Sequence, residues 1–340
     1  MQAVWRSTGR NSSWSSVELF GEIPFRAAFF LEETPMSEPI AWLNGKFLPF
    51  SQAALPLSDL GVVGGIAVSE MIRTYAGKPF RVAEHLARLK QSCELVGFAV
   101  EMSDLAWEEV IAQLLADNLP LIASQSDLGV ILFVTAGPNP TYVGKGLHSA
   151  TVGAHTFVLP FANWAPLCES GLRLVTPPGK AIPAETVDRR IKSRSRLAWH
   201  LADRAAKQID PQASALLLDE KGFVTETATG NLVVCHGDVL STPLAEQTLE
   251  GISLGMVRDL TSRLGWAFQH RPLTVDDVLT AEEAFVTSTP TGLLPVRLLN
   301  GQPIGQHVPG PRTTRLLAEW GQEVGVDLVG QMRNALLQTR

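Results

Sequence analysis

The sequence predicts an α+β fold in two halves, and three observations support this prediction. The 340 residues suffice for two domains or one large one. Short apolar runs typical of strands are interspersed with longer segments of helical period. Neither half shows the regular strand–helix–strand alternation of a doubly wound parallel sheet. We therefore expect two α/β domains, each of which mixes strands with helices.

Composition changes mark the expected domain boundaries. Regular patterning starts just after Met36, so the preceding residues are expected to be disordered or to lie before the native start. Pro160, Asn163 and Pro166 should interrupt any regular element between the two domains. The predicted divisions are an extension (1–35), an N-terminal domain (36–159), a linker (160–170) and a C-terminal domain (171–340).

In the first domain, turn residues and apolar periodicity define the elements. The Asn44-Gly45 pair predicts a tight hairpin turn. Ser58–Gly65 is rich in glycine but lacks the spacing of a nucleotide-binding fingerprint, so we predict a turn there. Gly97 should end one helix and Ser103 should cap the next. In order, we predict a hairpin (40–49), a strand (66–75), helices (82–96 and 103–118) and strands (129–135 and 151–159).

The second domain restarts with a short strand and a long basic segment. The helix within Arg189–Gln208 is predicted to bury Leu197, Leu201 and Ala205. Further predicted elements are strands (172–176, 215–218, 223–227, 231–235, 239–241 and 284–287), a helix (252–264) and a hairpin (296–304).

Charge and cysteine content exclude several protein classes. The formal net charge is −6, which argues against nucleic acid as the main partner. Cys93, Cys168 and Cys235 are widely spaced and form neither a metal-binding pattern nor a disulfide framework, so we expect a reducing cytoplasm. No apolar run approaches the roughly 20 residues of a membrane helix, so no membrane partner is expected.

One lysine, Lys192, lies among four arginines between Arg189 and Arg196. The chain has eight lysines, and the other seven fall in turns, loops or polar helix faces. Lys192 alone follows an apolar neighbour, Ile191, into a predicted helix. Taken alone, such a basic run indicates a solvated patch.

Three other features suit an anionic ligand beside this lysine. Gly251-Ile252-Ser253 opens a helix, where free N–H groups and the helix dipole favour a phosphate. The run Thr287–Thr291 offers hydroxyls at a strand end, and Arg88 offers a charge-assisted hydrogen bond. Glu226 lies on a predicted half-buried strand and there needs a cationic partner. Each feature also has a purely structural interpretation: a helix start, a strand end, a surface arginine and an exposed strand position.

Together these residues suggest pyridoxal 5′-phosphate. This cofactor needs a lysine for its Schiff base, a carboxylate beside its pyridine nitrogen and a cradle for its phosphate. Burial and neighbouring cations lower the pKa of a lysine, and the arginines near Lys192 would contribute to this.

The chain resembles the class IV aminotransferases, which are fold-type IV pyridoxal-phosphate enzymes, over about Trp42–Leu299. This family includes branched-chain and D-amino acid aminotransferases and aminodeoxychorismate lyase. The similar motifs are Asn44-Gly45, Glu84-His85-Leu86-Ala87-Arg88-Leu89, Ile191-Lys192-Ser193, Val224-Thr225-Glu226, Asn231-Leu232, Leu249-Glu250-Gly251-Ile252-Ser253, Thr287-Ser288-Thr289 and Leu294-Pro295-Val296.

The resemblance implies a fold like that of D-amino acid aminotransferase, in a homodimer with the cofactor between two domains. It implies that Lys192 is the Schiff-base lysine and proton shuttle, and that Glu226 pairs with the pyridine nitrogen. The residues that it assigns to the phosphate are Arg88, Ile252 (through its N–H), Ser253 and Thr289. Ser288 is a further candidate for binding the cofactor.

Departures from the family pattern bear on the substrate. Thr135-Ala136-Gly137 lacks the arginine of the D-amino acid branch, whereas Glu70–Tyr75 is similar to the branched-chain enzymes. Arg73 and Tyr75 are therefore our candidates for binding the substrate carboxylate, against an alternative as ordinary hairpin residues. We expect transfer of an amino group from a branched-chain-like amino acid to a 2-keto acid. The alternatives are an aminodeoxychorismate lyase that releases pyruvate and an inactive homologue that binds a phosphate ligand.

Overall fold

The computed structural model describes residues 38–144 and 149–338, and the predicted extension 1–35 lies outside them. Its strands are β1 (Ile40–Leu43), β2 (Lys46–Pro49), β3 (Ala67–Tyr75), β4 (Lys78–Pro79), β5 (Leu128–Thr135), β6 (Thr151–Val158), β7 (Leu172–Val175), β8 (Ala213–Leu218), β9 (Val224–Thr227), β10 (Asn231–His236), β11 (Val239–Thr242), β12 (Ala267–His270), β13 (Glu283–Ser288), β14 (Gly292–Leu299) and β15 (Gln302–Pro303). Its helices are α1 (Leu60–Val63), α2 (Val82–Val96), α3 (Asp104–Asn118), α4 (Pro140–Val143), α5 (Phe161–Ser170), α6 (Leu197–Ile209), α7 (Ile252–Arg263), α8 (Val275–Leu279), α9 (Pro311–Val324) and α10 (Leu328–Gln338). In these ranges no helix is long and apolar enough to cross a membrane.

The first sheet has six antiparallel strands in the order β2-β1-β6-β5-β3-β4. Helices α2 and α3 contribute Leu86, Leu89, Ile111 and Leu114 to the apolar core against this sheet. Ser103 caps α3 by accepting a hydrogen bond from the Ala106 N–H at 3.1 Å, as predicted. The α+β prediction is confirmed, because helices and mixed strands occur in both halves of the chain.

The second sheet has nine strands and closes on itself. Eight strands form its main path, in the order β12-β11-β10-β13-β14-β7-β8-β9, and the ninth, β15, pairs with β14. Strand β9 also pairs with β10, through Asn231 and Glu226. Leu216, Leu232 and Leu299 are fully buried in one apolar cluster of this sheet. The closing pair matters for function, because it places Glu226 at the seam of the barrel-like sheet.

The expectation that prolines interrupt regular structure in the predicted linker (160–170) is wrong, since Phe161–Ser170 forms α5 with Pro166 inside it. Phe161, Ala165 and Cys168 follow one another at helical spacing and are buried. They pack in a cluster with Met332 of α10. A proline inside a helix costs about 3 kcal/mol, and burial of a phenylalanine alone offsets much of that amount. The division into two domains remains a prediction.

The basic segment also differs from the prediction. Helix α6 begins only at Leu197, so Lys192 precedes the helix. Its predicted apolar residues Leu197 and Leu201 are 69% and 50% exposed, and the buried face instead carries Ala202 and Ala206. Small residues allow α6 to approach strand β8, whose Ala213 and Ala215 are buried in the same cluster. A further difference is α1, which occupies part of the glycine-rich turn because the Asp59 side chain caps it.

A buried arginine, Arg73, joins the first sheet to α10. Only 1% of Arg73 is exposed, and its Nη2 lies 3.8 Å from the Asp127 carboxylate and 3.3 Å from Gln331. Asp127 also accepts hydrogen bonds from Thr74 at 2.6 Å, from the Gly77 N–H at 3.0 Å and from Gln331 at 2.7 Å. The carboxylate therefore neutralises a buried charge and fixes the chain around it.

We predict that Asp127→Ala destabilises the protein by about 3–5 kcal/mol, because it leaves the Arg73 guanidinium buried without its counter-charge. Urea unfolding followed by tryptophan fluorescence would measure the change. The control is Glu108→Ala, since Glu108 is exposed on α3 and should change stability by less than about 0.5 kcal/mol. Equal unfolding midpoints for the two variants would contradict this account of Arg73.

Candidate active site

One cavity of about 310 Å³ lies between the two sheets and brings together most of the predicted site residues. Its walls include Lys192, Glu226, Arg88, Ile252, Ser253, Ser288 and Thr289. These residues come from separate stretches of the chain, so their convergence is a property of the fold.

Lys192 lies in an extended segment that is hydrogen-bonded to the edge of β3. The Ser69 N–H donates to the Lys192 carbonyl at 3.0 Å, and the Arg194 N–H donates to the Ala67 carbonyl at 2.8 Å. Burial lowers the pKa of the Lys192 amine, and the positive charges of Arg88 and Arg196 act in the same direction against Glu70 and Glu226. The amine is therefore closer to its neutral, nucleophilic form than a solvated lysine.

Glu226 lies on β9, beside the pair that closes the second sheet. One carboxylate oxygen accepts a hydrogen bond from the Leu249 N–H at 3.1 Å. Burial raises the pKa of Glu226 to about 7, against the opposing effects of the Leu249 hydrogen bond and of Arg189, Arg196 and Lys192. The group therefore sits near its titration point and can form a strong hydrogen bond with a protonated ring nitrogen.

Arg88 on α2 is held by a carboxylate that sequence reasoning did not select. Its Nε and Nη2 donate to the two oxygens of Glu70 at 2.7 and 2.9 Å, while Nη1 donates to the Glu250 carbonyl at 2.8 Å. His85 also contacts Glu70, at 2.8 Å from Nδ1. Burial raises the pKa of Glu70, but the charge and hydrogen bonds of Arg88 and His85 outweigh it and bring the pKa to about 2. A fixed anion thus orients Arg88 toward the start of α7.

The start of α7 supplies hydrogen-bond donors to the cavity. Gly251 is the N-cap residue and provides no side-chain cap, so the first N–H groups of this 12-residue helix are left without one. A Cβ atom at position 251 would collide with the Asn231 side chain, so only glycine fits. Asn231 fixes this loop by donating to the Leu249 carbonyl at 2.8 Å.

Hydroxyl groups from the end of β13 complete the cradle. Ser288 and Thr291 share a hydrogen bond of 2.8 Å. The Thr287 hydroxyl is buried in the cavity wall and, among the described residues, has no hydrogen-bond partner. A buried hydroxyl without a partner costs free energy unless a ligand satisfies it.

Arg73 and Tyr75, the predicted residues for the substrate carboxylate, do not line this cavity. The Arg73 Nη1 donates to the Pro290 carbonyl at 3.0 Å, from behind the turn that carries Thr289. Its guanidinium carbon lies 3.8 Å from the centre of the Tyr75 ring, and both side chains are buried. Asp127 and three neutral acceptors already contact the guanidinium nitrogens of Arg73. We therefore assign Arg73 a role in positioning the cavity wall.

Comparison with known proteins decides the family. The sequence profile described as Amino-transferase class IV matches residues 67–299. The chain belongs to the class IV aminotransferases. A Methanocaldococcus jannaschii protein named as a branched-chain-amino-acid aminotransferase is 31% identical over 278 residues, which cover 81% of this chain and 93% of that protein. The D-alanine aminotransferase of Bacillus licheniformis is 30% identical over 273 residues, covering 79% and 92%.

Solved structures agree with this assignment. A T.th. branched-chain amino acid aminotransferase complexed with N-(5′-phosphopyridoxyl)-L-glutamate has a TM-score of 0.74 and 25% identity, and the match covers 85% of this chain and 95% of that chain. The same enzyme has been solved with pyridoxamine 5′-phosphate. Class IV aminotransferases use pyridoxal 5′-phosphate, so this chain is an aminotransferase that depends on that cofactor.

The cavity of this aminotransferase fits the cofactor on its own chemistry. The unpartnered Thr287 hydroxyl, the uncapped start of α7 and the oriented Arg88 offer donors and charge for a phosphate. Glu226 and Lys192 line the same cavity, as a carboxylate for the ring nitrogen and an amine for the aldehyde carbon. The side-chain groups that the cofactor requires are therefore all present.

We predict that Glu226→Gln stabilises the cofactor-free protein at high pH. The folded pKa of about 7 exceeds the usual 4.5, so wild-type stability should fall as the pH rises through this window. The variant lacks this loss and should be about 2–3 kcal/mol more stable at pH 8, with the difference closing toward pH 4. Urea unfolding between pH 4 and pH 8 would measure it.

The control for this experiment is Glu220→Gln, since Glu220 is exposed in the turn between β8 and β9. The free energy of unfolding of this control variant should equal that of the wild-type protein across the same pH range. A stability difference for Glu226→Gln that stays constant with pH would show that the carboxyl does not titrate in this window.

Proposed function

We propose that this enzyme moves the amino group of a branched-chain-like amino acid to a 2-keto acid. The observation that carries the proposal is the convergence of Lys192, Glu226 and Arg88 in one cavity. The branched-chain assignment is supported by the similarity to proteins named for that activity. The apolar side chains of Met71 and Ile131 form part of the same cavity wall and suit an aliphatic substrate side chain.

The residues divide the chemistry among themselves. When bound, the cofactor supplies an electron sink that stabilises the negative charge formed at the substrate Cα. The Lys192 amine, with its pKa lowered by burial, holds the cofactor between turnovers. When it is not bonded to the cofactor, the Lys192 Nζ would serve as the general base for the substrate Cα proton. Glu226 would hydrogen-bond the ring nitrogen, and Arg88, Ile252, Ser253, Ser288 and Thr289 would hold the phosphate.

We expect Lys192→Ala to lower the rate of amino transfer by about 10²–10⁴-fold or more, because it removes both the covalent anchor and the proton acceptor. The assay would supply pyridoxal 5′-phosphate and test both enantiomers of leucine, valine, alanine and glutamate against 2-oxoglutarate and pyruvate. Borohydride should trap the cofactor on wild-type protein and not on the variant.

Lys207→Ala is the matched control, since Lys207 is exposed near the end of α6 and should leave the rate unchanged. Two outcomes would contradict the proposal. Wild-type protein that stays colourless with the cofactor would match an inactive homologue. Pyruvate released without an amino acceptor would match a lyase.

We also propose that the enzyme works as a homodimer in a reducing cytoplasm. The support for a dimer is a group of exposed apolar side chains near the lysine segment: Val62, Val63, Ile66, Leu197 and Leu201. Ser195 donates a hydrogen bond to the Gly65 carbonyl, so α1 and the start of α6 are neighbours. The support for a reducing compartment is that Cys93, Cys168 and Cys235 are buried free thiols.

We predict that light scattering coupled to size exclusion will give twice the mass of one chain. Leu197→Glu with Leu201→Glu should shift the protein to monomers, because charged side chains are excluded from the centre of an apolar interface. The control pair is Ala112→Glu with Ala116→Glu, which adds the same two charges at exposed positions with the same spacing on α3. A monomeric wild-type protein would contradict the homodimer.

A further inference from the structure

Two arginines that follow the lysine, Arg194 and Arg196, have no role in the chemistry described so far. Both line the cavity that contains Lys192. Lys192 and Ser193 line the same cavity, and the backbone of Ser193 pairs with Val68 of β3. The sequence Lys-Ser-Arg-Ser-Arg thus places a cation at every second position from the reactive amine.

Neither guanidinium has an acidic partner in the part of the chain that the structure describes. Arg196 donates to the Ala228 carbonyl and lies over the Trp199 ring, 5.4 Å from its centre. The side chain of Arg194 makes no hydrogen bond to any of the described residues. Most other arginines near the cavity are paired, as Arg88 is with Glu70, Arg190 with Asp188 and Arg258 with Glu250.

Charge therefore remains available at this wall. Both residues are exposed on this wall, and partial burial of their guanidinium groups lowers the pKa of each. A guanidinium in such a place gains from a bidentate anion, and carboxylate is the anion that every amino acid and 2-keto acid carries. Glu226 is the first of the acids that influence Arg196, and its own hydrogen bond is made with the Leu249 N–H.

We propose that Arg194 and Arg196 bind the carboxylate of the amino-acid and keto-acid substrates. This assignment rests on the proposed aminotransferase function. It replaces Arg73 and Tyr75, which lie outside the cavity, and it orients the substrate with its carboxylate on the arginines and its aliphatic side chain on Met71 and Ile131.

The test compares a carboxylate with its neutral isostere. Calorimetric titration of the cofactor-loaded enzyme would use 4-methylvaleric acid and 4-methylpentanamide, which differ only in the charged group. Wild-type enzyme should prefer the acid. In Arg194→Gln and Arg196→Gln the Kd of the acid should rise about 10- to 100-fold, while that of the amide stays the same. Arg194→Lys should keep part of the preference, because it retains the charge and loses the bidentate geometry.

Steady-state kinetics give a second readout. The KM for leucine and for 2-oxoglutarate should rise by the same factor with kcat changed only a few-fold, as expected for lost ground-state binding. Arg204→Gln is the matched control, since Arg204 is exposed on α6 and does not line the cavity. Thermal unfolding and cofactor absorbance of each variant would show that the fold and the Lys192 linkage are intact.

The outcomes separate the two proposals. If the wild-type enzyme transfers no amino group from any donor, the proposed function fails. The acid and amide titrations still test whether Arg194 and Arg196 bind a carboxylate. If the wild-type enzyme shows no preference for the acid, including binding of neither compound, the assignment is overturned. An unchanged preference in both glutamine variants would overturn it as well.

Discussion

Two backbone hydrogen bonds between the lysine segment and the edge of β3 are the constraint on which the site depends. They join Lys192 to Ser69 and Arg194 to Ala67. The same strand carries Glu70, which holds Arg88 of α2. One strand therefore positions the reactive amine and the cation of the phosphate cradle together. The amine is placed by sheet hydrogen bonds, which tolerate little displacement, and the cation by a buried two-point contact with Glu70.

The charges of the cavity follow from this placement. Cationic groups outnumber acids along its described walls, and the two acids have different tasks. Glu70 is fully buried and committed to Arg88 and His85, whereas Glu226 has a pKa near neutrality. At an effective dielectric constant of about 20, unit charges 4 Å apart interact by about 4 kcal/mol, which exceeds the roughly 1 kcal/mol net value of a neutral hydrogen bond. The surplus of positive charge therefore decides what the cavity binds, and it favours small anions.

Local signals in the sequence were enough to predict most elements but not their surroundings. Hairpins with Asn-Gly tips, the Ser103 cap and the start of α7 depend on a few adjacent residues, and the structure contains all of them. The prediction of a helix at the lysine segment was wrong because Lys-Ser-Arg-Ser-Arg is too short to distinguish a strand period of two from a helix period of 3.6. The helix at Phe161–Ser170 was not predicted because its stability comes from packing on α10, which lies far along the chain. Glu70 carried a usable signal, since a carboxylate inside an apolar strand requires a cationic partner.

The candidate residues for the substrate carboxylate, first Arg73 with Tyr75 and then Arg194 with Arg196, show how burial and charge must be weighed together. Arg73 resembles a substrate-binding residue in sequence, yet it does not line the cavity and is held there by Asp127 and backbone acceptors. A ligand could engage it only by displacing those contacts, at the cost of leaving a buried carboxylate unpaired. Arg194 and Arg196 line the cavity, are exposed and have no carboxylate partner among the described residues. An incoming carboxylate can therefore bind them without displacing an acidic partner. Unused charge at a cavity wall is therefore a better guide to where a substrate anion binds than the presence of an arginine in a familiar motif.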